Sequence, residues 1–143
     1  MHFTVDIKAP KELVWKVLWE DAYFRGWSSI FAEGSYAISD WKEGSKIQFI
    51  DPGSQSGMSS VIEKSILNEF MSFKHITEIK DGKEQPLPNW SGAHENYTLK
   101  ENDGTTTLIV DLDAMDEYKD MFEDKFPKAL ERVKILAEPQ KAI

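Results

Sequence analysis

Three residues that can hold or move a proton, His75, Glu95 and Tyr97, fall where strand alternation turns them toward one side. Met71, Phe73, Thr77 and Ile79 alternate with polar neighbours, so His75 belongs to the apolar face of a strand running from Phe70 to Ile79. Glu95 and Tyr97 share a face with Leu99, and the following strand offers Leu108, Val110 and Leu112. The aliphatic members turn that face inward and carry Glu95 with it. An ionised carboxylate removed from water needs a partner or takes a proton instead. Imidazole and phenol supply such partners. The three residues therefore form a polar end to an apolar cavity, orienting a ligand's carbonyl, hydroxyl or amine, or brace the sheet as a satisfied structural pair, or leave Glu95 simply reaching the cavity mouth.

His and Glu also serve as acid and base where both reach a bound substrate. The sequence has no nucleophile elbow, no phosphate-cradling glycine loop and no two-histidine helical zinc motif. His94 and Glu95 are adjacent on a strand and face opposite ways, which makes a poor metal site, and His2 reads as a solvated residue near the chain start. No metal, no cofactor and no catalytic residue is expected.

The chain holds five Trp and eight Phe in 143 residues, more aromatic bulk than a flat core requires. Trp15 and Trp19, four apart, read as helix packing. Trp27 and Trp90 sit beside Gly and Ser in loop-like segments, and Trp27 is the candidate gate over a cavity mouth. Phe122 and Phe126 face the sheet as core or cavity wall, and Met58 and Met121 can fill irregular space. The expected ligand-binding set is Trp27, Phe73, His75, Glu95, Tyr97, Phe122 and Phe126.

Several elements must position these groups. Phe3, Val5 and Ile7 alternate with polar residues as a half-buried strand. Ala9-Pro10 stops it and opens a helix striped by Leu13, Val14, Val17 and Leu18. A second short helix is predicted from Asp21 to Gly26. Short strands around Tyr36, Ile38, Ile47 and Phe49 precede a turn at 51–57, and further strands run over 58–64 and 70–79. Residues 81–92 read as a polar loop. Asn102-Asp103-Gly104 is a strong hairpin signal between strands 94–100 and 106–112.

Met115, Tyr118, Phe122, Phe126, Ala129, Leu130, Val133 and Ala137 then recur at three- and four-residue steps, predicting a long amphipathic helix within 114–143. Acidic residues crowd its first half and basic ones its second, in accord with the helix dipole. Pro127 opposes it and predicts a kink or a helix start near Asp124.

The length fits one domain over 1–143, with a core large enough to need no staples. Without cysteine there is no disulfide and no thiolate chemistry. The formal charge of −8 disfavours nucleic acid, which requires clustered Lys and Arg, and the acidic run 111–124 reads as a solvated face. No signal peptide and no membrane span is visible, so a cytoplasmic protein is expected.

A strand, two short helices, a multistranded antiparallel sheet and a long final helix make an α+β helix-grip order. The wording is more specific. Ala9-Pro10 with Val14-Trp15, Tyr23-Phe24-Arg25-Gly26-Trp27 and Trp41-Lys42-Glu43-Gly44-Ser45 resemble the SRPBCC superfamily, in the branch related to the C-terminal domain of the heat-shock-protein ATPase activator. The segments 68–73, 90–99 and 126–130 extend the likeness over nearly the whole chain. The resemblance implies a curved antiparallel sheet gripped by the terminal helix. It also implies three candidate roles: non-enzymatic binding of a small apolar or amphipathic ligand between sheet and helix, a chaperone-linked interaction module, or a cyclase- or hydrolase-like enzyme using His75 and Glu95.

Overall fold

Two Asp-Gly pairs mark the tight hairpins of the sheet. Asp103 and Gly104 have φ of 52° and 79°, and Asp81 and Gly82 have 51° and 76°. Positive φ at both central residues is the conformation whose twist matches that of paired strands. In this computed structural model, which describes residues 1–86, 92–114 and 116–139, the chain runs through β1 (His2–Ile7), α1 (Lys11–Trp19), α2 (Asp21–Ser28), β2 (Tyr36–Ile38), β3 (Lys46–Asp51), β4 (Ser56–Ile66), β5 (Phe70–Lys80), β6 (Lys83–Pro86), β7 (His94–Asn102), β8 (Thr105–Leu112) and α3 (Asp116–Ala137).

Among the described residues eight strands form one sheet in the order β1-β8-β7-β5-β4-β3-β2, with β6 paired to β5, and every pairing is antiparallel. The buried Phe126, Ala129, Leu130, Val133 and Ala137 of α3 join the main core, and the helix packs against β1, α1 and α2. This is the α+β helix-grip architecture. No helix among the described residues is long and apolar enough to cross a membrane.

Four local expectations need correction. Part of the polar loop expected over 81–92 is strand β6, because Asp81-Gly82 closes a two-residue hairpin with Lys80 opposite Lys83. Trp90, in the same stretch, lies outside the described residues. The second helix does not stop at Gly26 but continues to Ser28. A Cβ on Gly26 would stand 3.4 Å from the Leu136 side chain, an ordinary contact distance, so the glycine lies inside the helix against α3 and does not cap it. The final helix does not begin near Asp124: it starts at Asp116 and runs through Pro127 as one helix. Tertiary packing on both sides of Pro127 outweighs its missing backbone donor.

The fourth correction concerns which way β5 faces. Ser60 pairs with His75 and Ser59 with Thr77, which leaves Ile76 as an extra residue. A bulge of this kind reverses the alternation beyond it. Phe73 and His75 face the core, but past Ile76 it is Glu78 and Lys80 that line the interior, where Thr77 and Ile79 had been expected. Ile79 is buried, yet it stands outside the main core cluster.

Candidate functional site

The sheet curves away from the first half of α3 and leaves a cavity of about 460 Å³. Rings supply much of its wall. Phe24 and Trp27 come from α2, Phe49 from β3, Phe73 from β5, and Phe122 and Phe126 from α3. Phe49 meets Phe73 edge-on at 5.1 Å between centroids, and Trp19 meets Tyr97 the same way at 4.9 Å. Edge-to-face pairs of this kind are a favoured aromatic geometry, so these rings are packed against one another as well as against the open space.

At one part of this wall lies a hydrogen-bonded chain of four side chains. Ser60 Oγ is 2.6 Å from His75 Nδ1, and His75 Nε2 is 3.3 Å from Glu95 Oε1. The Tyr97 hydroxyl donates to Glu95 Oε2 at 2.5 Å. Register places them: Ser60 pairs with His75 across β4 and β5, Phe73 pairs with Glu95 across β5 and β7, and Glu95 and Tyr97 are two residues apart on β7. In the neutral ring, the carboxylate fixes the proton on Nε2, since it has none to give, and the Ser60 hydroxyl donates to Nδ1. Ser60, His75 and Tyr97 are buried, whereas the Glu95 side chain retains 20 % exposure. Burial, together with the charge on Glu95 and the hydrogen bond to it, pushes the Tyr97 phenol well above its ordinary value of 10.0. The phenol therefore remains a donor.

The mouth is polar. Glu78 and Lys80 pair at 3.7 Å, and Glu117, Tyr118 and Met121 of α3 stand on the same rim. Partial burial and the carboxylates of Glu78 and Glu117 push the Tyr118 phenol up. Among the described residues no group of three or more His, Asp or Glu gathers as a metal ion would require.

All seven residues expected to bind ligand border this one cavity. Trp27 does so as a wall, not as a gate: it is 3 % exposed, and its indole N–H donates to the Leu18 carbonyl at 3.1 Å. Other participants were not foreseen, and four of them matter most to the site's chemistry: Ser60, Glu78, Lys80 and Trp19. Ser60 was legible, since Met58, Ser60 and Ile62 alternate toward the core. Glu78 and Lys80 were not, because nothing in the residue types around Ile76 announces a bulge. Trp19, read as packing, also lines the cavity, and its buried indole N–H is without an acceptor among the described residues.

Residues 8–138 match the family described as activator of Hsp90 ATPase homolog 1-like protein. The chain belongs to that family. No curated protein is matched. Among solved structures, the Aha1 dimer from Colwellia psychrerythraea is similar at 20 % identity and a TM-score of 0.74, over 99 % of this chain and 98 % of that one. CalU16 from Micromonospora echinospora is similar at 14 % identity and a TM-score of 0.66, over 96 % of this chain and 75 % of that one. The di-domain ARO/CYC StfQ from the steffimycin biosynthetic pathway matches at 14 % identity and 0.67, over 96 % of this chain and 44 % of that one. At these identities the likeness is one of fold, and it places this family member in the helix-grip architecture.

Proposed function

We propose that this chain binds a small apolar or amphipathic molecule, without covalent chemistry, in the cavity between the sheet and the first half of α3. The observation that carries this reading is the pairing of an aromatic wall with a polar cluster inside one cavity of about 460 Å³, within the roughly 300–1,000 Å³ typical of ligand sites. Rings supply affinity, and a few placed polar groups supply orientation. The Trp19 N–H, which has no acceptor among the described residues, supports the same reading, because a buried donor is seldom left without one. A ligand oxygen or nitrogen would satisfy it. A ligand of about 20 heavy atoms at roughly 0.3 kcal/mol each would bind with a Kd of tens of micromolar.

Trp19 and Trp27 line the cavity and report on its occupancy. Titration with lipids, sterols and aromatic metabolites should quench or shift tryptophan emission, and native mass spectrometry should show copurified small molecules. Saturating spectral changes with none of these classes, together with a mass equal to the bare chain, would defeat the proposal.

Family membership favours a second reading, in which the chain docks on a chaperone of the Hsp90 type. Pull-down by an immobilised chaperone that survives filling of the cavity would support docking. Loss of capture on ligand addition would tie the two readings together.

A further inference from the structure

The charge lining the cavity is lopsided. Four carboxylates, Asp51, Glu78, Glu95 and Glu117, border it against Lys80 as the one Lys or Arg among the described lining residues. Asp51 is occupied by its own turn, accepting from the Gly53 amide and the Ser54 hydroxyl. Glu78 is paired with Lys80. Glu117 stands exposed on the rim. Glu95 differs from all three in its partners, because it stands beside the buried His75 and Tyr97 and accepts one hydrogen bond from each, with no cation and no turn amide on it among the described residues. A carboxylate has about four acceptor positions, so roughly two are left for a guest.

Resting on the cavity reading above, we infer that the ligand presents a protonated amine to Glu95, so that the chain selects amphipathic amines over the corresponding acids. An ammonium group would fill the free acceptor positions with charge-assisted hydrogen bonds. The faces of neighbouring aromatic rings add attraction to a cation. A carboxylate guest would meet like charge in a site where water screens poorly. It would also meet both of Glu95's donors already engaged. An alcohol would gain the hydrogen bond but not the charge.

Three probes of one shape test this on the intact chain at neutral pH: 9-(aminomethyl)anthracene, 9-anthracenemethanol and 9-anthracenecarboxylate, followed by anisotropy of the anthracene ring. The expected order is amine, alcohol, acid, with the amine at least tenfold tighter than the acid. Because the net charge of −8 attracts any cation, Glu95→Gln is compared with Glu123→Gln, which removes the same charge at an exposed position of α3 outside the cavity lining. Glu95→Gln should abolish the amine preference, and Glu123→Gln should change it less than threefold. If Glu95→Gln does not fold, as judged by circular dichroism, the wild-type order and Glu123→Gln still decide. Alcohol binding with no amine preference, or a preference lost equally in both variants, overturns the inference and leaves the cavity reading standing. Failure of all three probes to bind overturns both.

Discussion

The two halves of α3 carry the same kind of residue and do different work. Beyond Pro127, Ala129, Leu130, Val133 and Ala137 are buried, and small and branched side chains let the helix sit close to β1 and to α1 and α2. Before it, Tyr118, Met121 and Phe122 are only half-buried, and all three border the cavity. Phe126 is the last ring of the first half, yet it is 2 % exposed and stacks on Phe3 at 5.1 Å and against Phe31 at 4.8 Å. An apolar stripe at helical spacing thus marks the inward face of a helix. It does not say whether that face meets protein or space. Side-chain size separates the two cases here, because large rings hold the helix off the sheet where small residues let it down.

Substitution at the contact between the halves should have the largest effect. Phe126→Ala removes a fully buried ring and leaves a void beside Phe3 and Phe31. The expected cost is about 4 kcal/mol, enough to lower the melting temperature by roughly 10 °C. A calorimetric loss below about 1 kcal/mol would mean that Phe126 belongs to the open half and that the division lies nearer the C-terminus.

Pro127 stands next to that division, on the exposed side of the helix. Its missing amide leaves the Glu123 carbonyl without its usual helical donor. Pro127→Ala restores the donor and loses the proline's restraint on the unfolded chain, an offset of about 0.4–1 kcal/mol. A net gain of about 1–2 kcal/mol is expected by urea denaturation. A lower midpoint would show that the proline sets a bend on which the packing of one half depends.

Much of this arrangement is legible in the residue types and their spacing. Periodicity alone locates the strands carrying His75, Glu95 and Tyr97, because period-two alternation is unbroken where those residues stand. It gives the long helix through the recurrence of Phe122, Phe126, Leu130 and Val133. Three of the misses share one cause: each feature depends on a contact that the local residue pattern does not contain. The bulge at Ile76 exists only relative to β4, and it alone turns Glu78 and Lys80 inward. Gly26 reads as a helix stop until Leu136 is placed against it. Trp27 reads as a gate until its N–H is seen donating to Leu18. Asp81-Gly82 is a different case, since the dipeptide is itself a hairpin signal of the same strength as Asp103-Gly104 and needed no tertiary information.

The open side of the comparison is sharpened by pH. Tyr97 has its folded value raised above 10.0 by burial and by Glu95. The unfolded chain therefore releases this proton more readily, and the associated stability is present below pH 10 and lost as pH rises further. Tyr97→Phe should cost about 1–3 kcal/mol at neutral pH, by leaving Glu95 short of a donor. It should also flatten the alkaline limb. Lysine deprotonation contributes to both proteins, so the informative quantity is the difference between their urea midpoints at pH 8 and pH 10.5. Equal losses in the two would place Tyr97 in contact with solvent.

The smallest change in stability belongs to Phe122, four residues before Phe126 on the same face. Its contacts are looser, with centroids at 6.4 Å to Phe31 and 5.5 Å to Phe126, and the half-buried ring borders the cavity. Truncation there enlarges space that already exists instead of opening a sealed void. Phe122→Ala should therefore cost less than Phe126→Ala, about 1 kcal/mol, since part of the ring stays exposed in the folded chain. Binding of an aromatic probe should weaken by about tenfold, because that exposed part of the ring is covered only when a guest is present. This inversion, a small folding penalty with a large binding penalty, is the signature that separates a cavity wall from a core. A Phe122→Ala variant as unstable as Phe126→Ala, with probe affinity unchanged, would show the whole helix to be packed and the division drawn between its halves to be false.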